Sequence, residues 1–127
     1  MKRTAIFTAF LVALAALAVA APAVQAKGGQ GTRIALKSSA AFPGASGKAK
    51  LQNEGQRELE IEVEHVRKLA GTRVNFFVSS TKVGSARVNG LGAAQINRRG
   101  AGFPAIKAGT PVKVKTAGGK LIVSGRF

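Results

Sequence analysis

Residues 57–66 read RELEIEVEHV, in which aliphatic and acidic side chains alternate. Successive side chains of a strand point to opposite faces, so Leu59, Ile61 and Val63 share one face and the intervening glutamates share the other. Burial of unpaired carboxylates would be far too unfavourable, so the aliphatic face must be the core side. The pattern predicts a strand with one dry face and one acidic face.

This strand also explains how charge is distributed along the chain. All 5 acidic residues lie between Glu54 and Glu64, although the chain has 20 Lys and Arg and a formal net charge of +15. Residues 65–127 contain no acidic residue. Such a surface attracts polyanions. The alternative is that the charge only keeps a small domain soluble.

The segment 46–52 (SGKAKLQ) provides a partner for the acidic strand. If Leu51 lies opposite Leu59, the apolar faces coincide and lysines oppose glutamates, because a slip of one residue would exchange the two faces. The pairs in this register are Lys50–Glu60 and Lys48–Glu62.

On its other side, the acidic strand is predicted to pair with residues 72–79 (TRVNFFVS). Val63 opposite Val74 would place Glu64 against Arg73 and leave the short loop RKLA between the strands. Cationic strands on both sides would then neutralise the acidic face.

Short alternating runs separated by Gly-rich turns continue along the chain, which is typical of antiparallel sandwiches and barrels. The fold class is therefore all-β, an antiparallel β-sandwich or Ig-like barrel of about seven or eight short strands. GKAKLQNEG (47–55) resembles GAAQINRRG (92–100). Duplication of a hairpin unit would explain this similarity, and so would chance recurrence of Gly and Ala. The predicted strands are 32–38, 46–52, 57–66, 72–79, 82–89, 93–98, 111–116 and 120–127.

The N-terminus has the features of a secretory signal peptide. A cationic MKR start precedes an apolar run and the small-residue stretch APAVQA, which predicts a cleaved segment 1–26. An uncleaved membrane anchor is the alternative, since the run approaches the length of a span. Cleavage would leave a flexible leader, 27–31, and one domain, 32–127, with no transmembrane segment. The protein is expected to be exported, to the periplasm or outside the cell.

The composition argues against an enzyme. His65 is the single histidine and the chain lacks Cys and Asp, so Ser-His-Asp and Cys-His sites cannot form. We expect His65 to be half-buried at the rim of the inner face. One histidine without cysteine cannot supply a usual zinc site. Calcium held by the glutamate row and a glycosidase carboxylate pair are the remaining, less favoured alternatives. No catalytic, cofactor or metal site is therefore predicted.

A basic stripe is the candidate binding feature. In PVKVKT (111–116) the lysines share one face and the valines share the other. Phe77 is predicted to point outward, where it either contacts a partner or is covered by a loop or second sheet. The candidate polyanion contacts are Arg98, Arg99, Lys107, Lys113, Lys115 and Lys120.

The segment AGTRVNFFVSSTKVGSARVNGLGAA (70–94) combines a Gly-Thr-x-Val strand with a Val-Gly-x-Ala hairpin return. With AGTPVKVKTAGGKLIVSGRF (108–127), it resembles small exported bacterial β-sandwich proteins of uncharacterised function. The resemblance implies an exported all-β fold and transfers no functional site.

The predicted function is non-enzymatic binding of an anionic envelope or extracellular polymer through the basic surface. Partners of this chemistry include anionic glycans, lipopolysaccharide and lipid headgroups, whereas export argues against a nucleic-acid partner. The alternative is a structural or assembly module, a homo- or hetero-oligomer formed through a sheet edge such as KLIVSGRF (120–127).

Overall fold

A computed structural model describes residues 31–53 and 55–127. The predicted signal peptide, most of the leader and Glu54 lie outside the described residues. In the part that is described, no helix has the length and apolar character needed to cross a bilayer. The strands are β1 (Thr32–Ser38), β2 (Ser46–Gln52), β3 (Glu58–Glu64), β4 (Arg73–Val78), β5 (Thr81–Arg87), β6 (Ala94–Arg99), β7 (Pro111–Thr116) and β8 (Leu121–Arg126), with a short 3-10 helix at Arg67–Leu69.

The strands form one antiparallel sheet in the order β5-β4-β7-β8-β1-β2-β3-β6. The sheet curls until its edge strands, β5 and β6, approach each other in a nearly closed barrel. The all-β prediction is confirmed. Of the two architectures considered, the sheet is a single barrel-like one and not the two separate sheets of a sandwich.

The barrel interior is a packed apolar core. On β3, Leu59, Ile61 and Val63 have no exposed surface, and the acidic side chains between them are only partly buried. Burying one such aliphatic side chain contributes roughly 1.5–3 kcal/mol. In the described part of the chain, the other fully enclosed large side chains are Val74, Phe76, Val78, Val88, Val112, Val114, Ile122 and Val123.

The register predicted between β2 and β3 is confirmed. Leu51 lies opposite Leu59, and both of their side chains are buried. The predicted lysine–glutamate oppositions, Lys50–Glu60 and Lys48–Glu62, occur in the ladder.

The predicted pairing of β3 with β4 is wrong. The second neighbour of β3 is β6, with Ile61 opposite Ile96, and β4 lies between β5 and β7. The connection after β3 is not a tight hairpin loop. It passes through the 3-10 helix, and Val66 donates its backbone N–H to the Gly92 carbonyl 3.0 Å away. The chain thereby leaves β3 before β4 can pair with it.

His65 lies in that connection and is exposed, so its predicted half-buried position on the inner face is wrong. Its φ is 65°, in the left-handed region that non-glycine residues rarely adopt. This backbone conformation interrupts the alternation. Val66 is therefore buried in place of His65, with only 3% of its surface exposed.

Gly47→Ala should destabilise the barrel. A Cβ at Gly47 would lie 2.5 Å from the Glu62 carbonyl oxygen and 3.3 Å from Leu36 Cδ1. We expect a loss of about 1–3 kcal/mol in the free energy of unfolding, measured by urea denaturation. Gly90→Ala, which meets nothing within 4 Å, is the control. Equal stability of the two variants would contradict this packing.

Candidate anion-binding site

The acidic face of β3 is neutralised by its two neighbouring strands. From β6, Gln95 Nε2 donates to Glu60 Oε2 at 2.7 Å and Asn97 Nδ2 donates to Glu58 Oε2 at 2.9 Å. The ion pairs in the described residues are Lys48 Nζ–Glu62 Oε1 at 3.5 Å and Arg99 Nη2–Glu58 Oε2 at 3.9 Å. The cationic partners are therefore Lys48 from β2 and Arg99 from β6, and β6 adds two neutral amides that satisfy carboxylate oxygens by hydrogen bonding.

One carboxyl in this row is perturbed. Burial raises the pKa of Glu62 above its ordinary value of 4.5, and a hydrogen bond and charge repulsion from Glu64 raise it further, while Lys48 opposes the shift. Among the described residues, no group of three or more His, Cys, Asp or Glu side chains could hold a metal ion.

A serine–histidine contact lies near the end of β3. Ser46 Oγ and His65 Nδ1 are 2.9 Å apart, and the pair is exposed. The described residues place no acidic partner on the other ring nitrogen. Because a catalytic base needs such an orienting group, the contact lacks the geometry of a triad.

The six predicted contacts do not form one cluster. Lys113 and Lys115 lie on the outer face of β7 as predicted, with Val112 and Val114 buried behind them. Lys107 and Lys120 lie in loops at opposite ends of β7. In these loops, the backbone N–H of each lysine donates to a threonine Oγ1, at 2.9 Å and 3.0 Å respectively.

Arg98 and Arg99 lie on β6, which is one edge strand of the sheet, and β5 is the other. Within the described residues no ladder pairs β5 with β6, so a seam remains between these edges. Arg98 spans it, donating from Nε to the Val83 carbonyl at 2.6 Å. The residues lining this groove are Lys82, Val83, Gly84, Ser85, Asn97, Arg98, Arg99 and Gly102.

Gly84 keeps the seam narrow. A Cβ at this position would lie 3.1 Å from Arg98 Nη2 and 3.2 Å from Ile96 Cδ1. Without a side chain there, β6 can approach β5 closely enough for the guanidinium to reach the Val83 carbonyl. The seam therefore holds a fixed arginine beside the exposed side chain of Lys82.

Lys82 is a groove-lining basic residue that sequence reasoning did not include among the candidate contacts. The Asn89-Gly90 turn signal joins β5 to β6 and could have placed Lys82 near Arg99. The open seam was not predictable, because such a turn normally leads to a fully paired hairpin.

A row of outer-face positions runs from the seam across the sheet. Lys82 on β5 pairs with Phe77 on β4, which pairs with Lys113 on β7. The row continues through Ser124 on β8 to Lys37 on β1. We call these five positions, Lys82, Phe77, Lys113, Ser124 and Lys37, the cationic row.

Phe77 points outward, as predicted. Its side chain is only partly buried, and Lys115 Nζ lies 5.0 Å from the ring centroid. Because all strands belong to one sheet, no second sheet covers it in the described part of the chain. The Lys115 ammonium lies at cation–π distance from the ring.

The loop after β6 is fixed beside the seam. Arg57 Nη2 donates to the Phe103 carbonyl at 2.8 Å, and its guanidinium carbon lies 3.9 Å from the centroid of the Phe103 ring. The Gly100 N–H also donates to the Arg57 carbonyl at 2.8 Å. These contacts position Gly102, which lines the groove.

Comparison with protein-family models, curated proteins and solved structures finds no match to this chain. What the surface can do therefore follows from its geometry and charge. The cationic row and the seam offer ammonium and guanidinium groups, flanked by serine and asparagine. These groups bind anions by charge and by hydrogen bonding.

Glu62→Gln should have a pH-dependent effect on stability. Because the pKa of Glu62 is raised in the folded state, ionising it opposes folding as pH rises from its ordinary value of 4.5 through the raised value. The variant should therefore gain stability relative to wild type over this range, as measured by urea denaturation at several pH values. Gln52→Asn should give a pH-independent difference. If the stability of Glu62→Gln relative to wild type fell as pH rose, the raised pKa of Glu62 would be contradicted.

Proposed function

We propose that this protein is a non-enzymatic, exported barrel that binds an anionic polymer of the cell envelope or extracellular matrix. Export is inferred from the signal-peptide pattern of residues 1–26. The binding surface is the outer face of β4, β5 and β7 together with the seam. One observation carries the proposal: every glutamate of the strands lies on β3, so this face has basic residues and no acidic ones.

The cationic face is larger than the row alone. Arg73 on β4 lies opposite Arg87 on β5, an arrangement of like charges that is unfavourable without a counter-ion. Arg73 Nη1 donates to Ser85 Oγ at 3.3 Å, and Arg87 Nη1 donates to the Gly71 carbonyl at 2.7 Å. Both guanidinium groups are thus held on the surface without a carboxylate in this ladder, where a polyanion would relieve their repulsion.

Individual exposed charge contacts are weak, so affinity for a polymer must come from several contacts made together. Such binding weakens as salt is added, because salt screens exposed charges. This property distinguishes a polymer-binding face from a pocket for a small neutral ligand.

Assembly through a sheet edge is the second candidate. The C-terminal segment 120–127 cannot provide that edge, because β8 lies inside the sheet between β7 and β1. The edges are β5 and β6, whose outer backbone groups face the seam. A second chain would have to pair there, displacing the Arg98–Val83 hydrogen bond. Size-exclusion chromatography over a range of concentrations tests this candidate, which requires an oligomer.

Polyanion binding is tested by a pair of charge-matched double variants. Lys82→Gln/Lys113→Gln removes two charges from the cationic row. Arg33→Gln/Lys50→Gln removes two charges from an opposed pair on β1 and β2. We expect the first variant, but not the second, to lose heparin affinity. The slope of log K against log salt concentration should become shallower by about 1 to 2 for two lost contacts, as it does for nucleic acids.

Isothermal titration calorimetry at several salt concentrations measures both quantities. Equal losses in the two variants would mean that binding follows net charge and not a site. Absence of binding by the wild type to heparin, lipopolysaccharide and polyphosphate would contradict the proposed function itself.

A further inference from the structure

The cationic face contains an outward-facing aromatic ring in its middle. Phe77 alternates with Phe76 and Val78, which have no exposed surface, so its ring must lie on the outer side of β4. Its cross-strand neighbours on both sides are lysines, Lys82 and Lys113. An apolar ring placed between two ammonium groups is well suited to a ligand that is both anionic and partly apolar.

A β-bulge produces this arrangement. The register of β4 against β5 shifts between Phe76, opposite Gly84, and Phe77, opposite Lys82. In a regular ladder Phe77 would face Val83, which is instead 5% exposed and belongs to the core. A β-bulge changes the face of the sheet on which the following side chains lie. Here the extra residue brings a lysine beside the ring and sends an apolar side chain inward.

The spacing of charges distinguishes between classes of polymer. Neighbouring strands lie about 4.8 Å apart, so lysines on alternate strands of the row are separated by about 10 Å. Lys82, Lys113 and Lys37 have this alternate-strand arrangement, with Phe77 and Ser124 between them. Each strand of a DNA duplex carries one charge per about 3.4 Å of helix axis, which is much denser than the row.

We infer that the ligand is an acidic polysaccharide whose chain runs across the strands along the cationic row. The inference rests on the proposed function, which it makes more specific. One sugar ring packs its C–H face on Phe77. The carboxylates of the two sugars on either side of it bind Lys82 and Lys113. Ser124 donates a hydrogen bond to a sugar hydroxyl. The groove at the seam receives the next acidic group beside Arg99, whose guanidinium is exposed and lies 3.9 Å from Glu58.

Lys115 moves when the polysaccharide binds. Its ammonium lies 5.0 Å from the Phe77 ring centroid, where it makes a cation–π contact that is weak at an exposed site. A carboxylate next to the stacked sugar offers this ammonium a stronger partner. The ring is thereby uncovered at low energetic cost.

The test compares two polyanions of different chemistry. Hyaluronate carries one carboxylate on every second sugar, whereas inorganic polyphosphate is anionic but has no sugar face. Phe77→Leu keeps an apolar side chain but removes the flat ring, and Phe127→Leu is the matched control at a partly buried phenylalanine outside the row. Circular dichroism and thermal unfolding check that each variant is folded.

We expect Phe77→Leu to weaken hyaluronate binding about five- to tenfold, in line with the loss of one stacking contact, and to change polyphosphate binding less than about twofold. Phe127→Leu should change neither. Equal losses for both ligands, or no loss for hyaluronate, would overturn the inference. In that case, weaker polyphosphate binding by the Lys82→Gln/Lys113→Gln variant than by wild type would still support polyanion binding as the function. If the wild-type protein bound no polyanion, both the proposed function and the polysaccharide inference would be wrong.

Discussion

The confinement of every strand glutamate to β3 determines how charge is distributed over the barrel. Glu62 is paired with Lys48 at 3.5 Å, while Glu60 and Glu58 accept hydrogen bonds from Gln95 and Asn97. Glu58 also lies 3.9 Å from Arg99. Lys48 and Arg99 are thus the cations that pair with β3 in the described residues, and the other partners are neutral amides. The basic residues of β4, β5 and β7 keep their positive potential, which extends into the surrounding solvent.

The same strand orders the interior. Leu59, Ile61 and Val63 point into the barrel because the glutamates must point out, and a slip of one residue would bury the carboxylates. The cost of that slip fixes β2 on one side and β6 on the other. The chain has no cysteine, so this register is maintained by packing and hydrogen bonds without disulfides.

Local alternation was sufficient to predict the strands and the basic stripe. The bounds of β1, β2 and β7 agree with the prediction, as do the β2–β3 register and the outward position of Lys113. Alternation assigns side chains to faces, and a short turn identifies a neighbour. Neither carries information about pairing between strands that are distant in the sequence.

The errors arose where pairing or backbone conformation departs from that local pattern. β3 pairs with β6 instead of β4, because the chain turns away at His65, whose left-handed φ has no clear signal in the sequence. The C-terminal strand lies inside the sheet, so it could not be the free edge. Lys82 was missing from the candidate contacts because the bulge beside Phe77 and the open seam depend on the tertiary fold.

The most direct test of a localised anion-binding face is a residue-resolved NMR titration with a short acidic oligosaccharide. Backbone amide shifts should change at Phe77, Lys82 and Lys113 and along the seam, while the amides of Arg33 and Lys50 should not move. Chemical-shift changes spread evenly over the basic residues of the barrel would contradict a localised anion-binding face. They would show that the positive charge attracts the oligosaccharide without a defined site.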